Sequence, residues 1–190
     1  MLENCVITYI FGNGKELLRE PLVTSDSVQY ICVTDQPNLT CDTWNIVIDS
    51  MSHITNPRDK IAYVKFNPFK YTSANRICII DGSMQISGDM NALFNELDTC
   101  DLLVKRHPEA SNLFDELHRW NTIRHMPSII TQIFNTIAMH DNIKLSNPFL
   151  IESCILGYKR TPTILKLCEL VIQYTRRSEE RFSRNAETDI

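Results

Sequence analysis

The chain has 190 residues, 43% hydrophobic and 22% charged, which is enough to bury a core without a disulfide or a structural metal. Its 19 basic and 23 acidic residues leave a net charge of −4, which argues against a domain whose main task is to coat nucleic acid. No apolar run approaches the ~20 residues of a membrane helix, and Met1-Leu2-Glu3-Asn4 lacks the basic, apolar opening of a signal peptide.

The chain reads as strands alternating with helices. Apolar, β-rich runs over Cys5–Phe11, Val28–Thr34, Trp44–Ile48, Arg76–Ile80 and Leu102–Lys105 end at turn residues, as strands buried on both faces do. Pro57 opens one helical segment. Met90, Leu93, Phe94 and Leu97 predict another, with Asp89 as its N-cap. Leu113, Leu117 and Trp120 mark a third, Pro127 begins a fourth, and Thr161-Pro162 caps a fifth. The run Phe149–Leu156 is largely apolar but carries Glu152, and is read as a pocket wall or an edge strand. The expected fold is α/β with a mostly parallel sheet, in one domain over 1–175 with a tail over 176–190. The 7 cysteines form no CxxC pair, which argues against a zinc ribbon. Their odd number and the missing export signal predict a reducing, cytoplasmic setting, with several thiols acting as small buried hydrophobes.

Ligands of such sheets lie beyond the carboxyl ends of the strands, which directs attention to the strand-end loops. Asp81-Gly82-Ser83 places an acid just past a hydrophobic strand, where it can hold a divalent ion and through it a diphosphate; it also reads as an ordinary turn. Arg58 and Lys65, seven positions apart, share a helix face with Ala62 between them, suited to clamping a phosphate or merely solvated. Lys105-Arg106-His107-Pro108 follows the fifth strand, with His107 either a donor to substrate or a satisfied loop residue. Glu152 is costly to bury without a partner and is a candidate site acid. The run Arg176–Arg181 nearly cancels its own charge and reads as a solvated terminus.

Taken in order, Thr8-Tyr9-Ile10-Phe11-Gly12, Tyr30–Gln36, Trp44, Arg58 with Ala62 and Lys65, Ile80-Asp81-Gly82-Ser83 with Ile86, and Lys105-Arg106-His107-Pro108 resemble the DUF616 family of glycosyltransferase-like domains, from about residue 5 to residue 182. That family is similar to GT-A glycosyltransferases, most nearly those of family 8. The resemblance implies a nucleotide-diphospho-sugar transferase fold and a nucleoside-diphosphate sugar, such as a UDP-sugar, as donor. It implies Mn²⁺ or Mg²⁺ as cofactor and a saccharide or other hydroxyl compound as acceptor.

By position, Thr8, Tyr9 and Gly12 would line the nucleotide pocket, and Asp35 would meet the base or ribose. Arg58 and Lys65 would approach the diphosphate. Asp81 would match the first acid of the DxD motif and hold the metal. His107 and Glu152 would serve the sugar and acceptor side. The sequence departs from the family pattern at Ser83, where the second acid of DxD would stand, at Cys154 and at Ser178. The expected activity is metal-assisted, retaining glycosyl transfer, since no dedicated base stands out; Glu152 is the candidate base for an inverting route. Its rival is a non-catalytic nucleotide-sugar-binding protein. A nucleotidyltransferase ranks last, because Phe11-Gly12-Asn13-Gly14-Lys15 poorly matches the phosphate loop of those enzymes.

Overall fold

The computed structural model describes residues 2–12, 17–113, 115–116, 118–119 and 150–173. Six strands form one sheet: β1 (Asn4–Ile10), β2 (Val28–Thr34), β3 (Asn45–Ile48), β4 (Arg76–Ile80), β5 (Leu102–Arg106) and β6 (Ile151–Lys159). Their spatial order is β3-β2-β1-β4-β6-β5. β1 pairs in parallel with β2, from Asn4 opposite Val28 to Ile10 opposite Thr34, and with β4, from Asn4 opposite Arg76 to Ile7 opposite Ile79. β2 and β3 are also parallel. β6 runs antiparallel to β4, with Arg76 opposite Lys159 and Ile80 opposite Ile155.

The architecture is therefore α/β, but the sheet is mixed, not mostly parallel as expected. The reason is β6. It was read as a pocket wall or an edge strand, and it is an interior strand between β4 and β5 that returns in the opposite sense. Burial separates centre from edge. Every residue of β1 is buried, and β4 is buried from Ile77 to Ile80, whereas β3 and β5 are partly or fully exposed along their lengths. The two outer strands thus fail the expectation of burial on both faces.

Two compact units divide the chain: Met1–Leu103 with Cys154–Ile190, and Val104–Ser153. In the first, alternate residues of the central strands build the core. Val6 and Ile10 of β1, Tyr30 and Cys32 of β2, and Cys78 and Ile80 of β4 gather with Trp44, Met90, Phe94 and Leu97. The Trp44 ring meets Tyr30 edge-on at 5.6 Å, and its indole N–H donates to the Arg19 carbonyl. Helix α2 (Asn91–Glu96) has six residues and is too short to persist alone. Burial of Phe94, worth roughly 1.5–3 kcal/mol, holds it down. Met90, not Asp89, is its N-cap residue, although the Asp89 carboxylate accepts from the Asn91 N–H at 2.9 Å.

Helix α1 (Pro57–Phe66) begins as the sequence predicts. Pro57 needs no intrahelical partner at the first position, and the Asn56 side chain accepts from the Arg58 N–H at 3.0 Å. A 3₁₀ turn, Pro68–Lys70, follows at once. At the other end of the unit, Thr161 Oγ1 accepts from Ile164 N, and residues 162–173 are helical. The described cysteines form no disulfide, and burial pushes the thiols of Cys5, Cys32 and Cys78 up to about 12. The pattern expected from Pro127 and the terminal run Arg176–Arg181 lie outside the described residues. Among the described residues, no helix is long and apolar enough to cross a membrane.

Candidate functional site

Three strands end on an aspartate, and each aspartate meets a lysine from the segment that carries α1 and the 3₁₀ turn. Asp35 follows β2 and pairs with Lys60 at 2.8 Å; Asp49 follows β3 and pairs with Lys70 at 2.6 Å; Asp81 follows β4 and pairs with Lys65 at 2.8 Å. The spacing within α1 explains two of these pairs. Lys60 and Lys65 are both buried, and they lie over the paired rings at the end of β1. Lys65 Nζ stands 5.7 Å from the centre of the Tyr9 ring and Lys60 Nζ 5.9 Å from that of Phe11; the rings stack with centroids 6.5 Å apart.

Asp81 is held from two sides. Lys65 Nζ and the Tyr9 hydroxyl both donate to Oδ1, while the Asp81 backbone N–H donates to the Cys154 carbonyl at 3.0 Å. Asp35 ties β2 to the end of β1: its Oδ1 accepts from Gly12 N–H at 3.1 Å, and its Oδ2 takes Lys60, which also donates to the Ser50 carbonyl. Gln36 closes the same contact from the other side by donating to the Gly12 carbonyl at 3.0 Å. Burial pushes the Asp35 carboxyl up, but the Lys60 hydrogen bond, the Gly12 N–H and the Lys60 charge outweigh it, so the net shift is downward. Asp49 behaves alike: burial raises it, and Lys70, Tyr71 and the Met51 N–H carry it below its ordinary value.

Two glycines shape this end of the sheet. Gly12 has φ +88°, a left-handed conformation that costs other residues energy. Gly82 passes so close to β1 that a Cβ there would lie 2.2 Å from the Tyr9 carbonyl oxygen.

The sequence-predicted residues divide accordingly. Tyr9, Lys65 and Asp81 come together, as do Gly12 and Asp35. Thr8 is buried and donates to the Ile80 carbonyl, joining β1 to β4 within the sheet. Arg58 is exposed on the first turn of α1, and Ser83 is exposed two residues beyond Asp81. Lys60 was not singled out, although it is the cation that binds Asp35. Its signal was present: three lysines within eleven residues of a segment that follows two strand-end aspartates.

His107 and Glu152 belong to the unit Val104–Ser153. His107 Nδ1 accepts from the Ala110 N–H at 2.9 Å and the Glu109 N–H at 3.3 Å, so the ring organises its own turn; Nε2 lies 3.6 Å from Glu116. Glu152 Oε2 pairs with Lys105 at 2.8 Å.

For a divalent ion, the loop after β4 offers the Asp81 carboxylate, with the exposed Ser83 two residues further along the chain. Among the described residues, no group of three or more His, Cys, Asp or Glu side chains is placed to hold a metal. Hard oxygen donors of this kind fit a Mg²⁺ or Mn²⁺ that draws the rest of its ligands from a diphosphate and water. They do not make a cage for a resident ion.

No family model matches the chain, and no curated protein matches it.

Proposed function

We propose that the chain binds a nucleoside-diphosphate sugar, such as a UDP-sugar, at the carboxyl ends of β1 and β4, and transfers the sugar to a hydroxyl acceptor. One observation carries this reading. The strand order leads outward from β1 to β3 and then restarts at β4 on the other side of β1. Ligands of open α/β sheets bind at such a reversal. Here the reversal is flanked by Asp81, Lys65, Tyr9 and the Gly12 turn. The resemblance of the ordered sequence motifs to DUF616 domains, with their GT-A-like fold, supports the same substrate class.

Lys65 would neutralise phosphate charge, aided by its low exposure. The Asp35–Gly12 bond fixes the turn that would face the nucleoside. A divalent ion, held by Asp81 with Ser83, would bridge the diphosphate and offset charge on the leaving nucleotide. Retention of configuration is the favoured outcome. The leaving phosphate can itself accept the proton of the acceptor, and the two candidate acid–base residues already have partners: His107 in its turn and Glu152 with Lys105. That same observation favours, as a second reading, a protein that binds the nucleotide sugar without turning it over.

The test is UDP binding by calorimetry in Mn²⁺, together with mass spectrometry of products from a UDP-sugar panel. Asp81→Ala should abolish metal-dependent UDP binding while the circular dichroism spectrum stays unchanged. Equal UDP affinity in variant and parent would remove Asp81 from the site. Binding without any sugar release or transfer would select the second reading.

A further inference from the structure

In the ligand-free protein, the carboxylate offered to a metal is already neutralised. Lys65 Nζ lies 2.8 Å from Asp81 Oδ1, the side chain of Lys65 is only 10% exposed, and the Tyr9 hydroxyl donates to the same oxygen. The lysine is thus held at Asp81 by a charge-assisted bond and by the Tyr9 ring beneath it. A divalent cation approaching Asp81, whose side chain is 32% exposed, meets this ammonium at close range. A diphosphate reverses the balance, because it is an alternative anion for Lys65.

We infer that Lys65 is the counter-ion a divalent cation must displace from Asp81, so that metal and nucleoside diphosphate bind together and neither binds well alone. The inference rests on the diphosphate reading above, and it adds the order in which the site's own charges are exchanged. Lys65 passes from Asp81 to a phosphate oxygen, and Asp81 becomes free to hold the ion. The exchange keeps each charge paired at every stage, which matters most for Lys65, the member of the pair withdrawn from water. Reciprocity follows: the factor by which UDP raises Mn²⁺ affinity must equal the factor by which Mn²⁺ raises UDP affinity.

The experiment reads free Mn²⁺ by electron paramagnetic resonance, with and without UDP, for the intact chain and for Lys65→Met and Lys65→Arg. The parent should bind Mn²⁺ weakly alone and at least ~10-fold more tightly with UDP, within the usual span of coupling between sites. Lys65→Met should bind Mn²⁺ alone ~10-fold more tightly than the parent, and its coupling should shrink to what the shared contact between ion and diphosphate supplies. Lys65→Arg, which keeps a cation beside Asp81, should bind Mn²⁺ alone as weakly as the parent. If Lys65→Met gains no Mn²⁺ affinity, Lys65 is not the competing counter-ion. If Lys65→Met fails to fold, the parent decides: independent, uncoupled binding of Mn²⁺ and UDP overturns the inference. If UDP binds in no arm, the proposed function falls, while the Mn²⁺-alone comparison of parent and Lys65→Met still decides the competition at Asp81.

Discussion

Two ion pairs of equal length lie in different surroundings. Lys65–Asp81, at the end of β4, and Lys105–Glu152, in the unit Val104–Ser153, both measure 2.8 Å. The Lys65 side chain is 10% exposed and the Lys105 side chain 50%. Distance alone would rank the pairs as equals. Surroundings do not, because an exposed pair exchanges one well-solvated state for another, whereas a lysine withdrawn from water depends on its partner. Lys60–Asp35 and Lys65–Asp81, whose lysines are largely buried, are therefore the pairs whose disturbance should register most in stability and in ligand binding.

The largest effect should come from the backbone that sets Asp81 in place. Gly82→Ala puts a Cβ 2.2 Å from the Tyr9 carbonyl oxygen and 2.8 Å from Ile10 Cδ1, so β1 or the loop must shift. The expected cost is about 3 kcal/mol, a fall of about 6–12 °C in Tm for a chain of this size. Gly88→Ala is the control, with nothing within 4 Å of its Cβ position. It should change stability by less than about 0.5 kcal/mol. Equal effects of the two substitutions in thermal unfolding would show that β1 does not constrain the Asp81 loop.

Next in size is the Lys60–Asp35 pair. Lys60→Met leaves Asp35 with Gly12 N–H as its remaining described side-chain contact across the loop. Removing one member of a buried pair costs about 3–5 kcal/mol, and the partial exposure of Asp35 lowers the expectation to about 2–3 kcal/mol. Urea unfolding measures it. The matching Lys105→Met change should cost less than about 1 kcal/mol, so the ratio of the two tests the contrast directly.

Acid should weaken the strand-end pairs as well. Asp35 and Asp49 both titrate below their ordinary values, burial being outweighed by their lysine and backbone partners. A carboxylate whose folded pKa is depressed stabilises the fold above its unfolded pKa of about 3.9. That contribution disappears as pH falls through the folded pKa. Tm should therefore hold between pH 7 and pH 5 with respect to these two groups and decline below about pH 4. Asp49→Asn should be less stable at neutral pH and should decline less steeply in acid. Parallel profiles for variant and parent would show that Asp49 does not contribute.

Much of this was legible in the chain. The five apolar runs are strands within a residue or so, because each ends at a turn residue or a strand-end acid that no buried strand would accept in its middle. Asp81 was legible for the same reason. The interior place of β6 was not legible, because Glu152 and Ser153 interrupt its apolar run and local pattern does not say which strand a segment will pair with. Lys60 was missed for a different reason. Helical periodicity groups residues on a face, here Arg58 with Lys65, but does not tell which face meets the strand ends. Packing of α1 settles that: Lys60 and Lys65 are buried, and Arg58 at the first turn is exposed.

The smallest stability effect, and the sharpest separation of roles, belongs to Glu152→Gln. The substitution keeps shape and removes charge from a pair in which Lys105 is half exposed. Solvent and salt screen such a pair, so the loss should stay under about 1 kcal/mol, or about 2–4 °C in Tm. UDP affinity should not change, since Lys65 of α1 and Asp81 after β4 pair with each other, and Glu152 pairs with Lys105. Turnover per folded molecule is then an independent readout. If Glu152 assists the acceptor, transfer should fall by roughly 10²–10⁴-fold with Tm and donor affinity held, the usual contribution of a positioned acid or base. An unchanged rate in a variant of unchanged stability would leave Glu152 as a partner of Lys105 and remove it from the candidate acid–base residues.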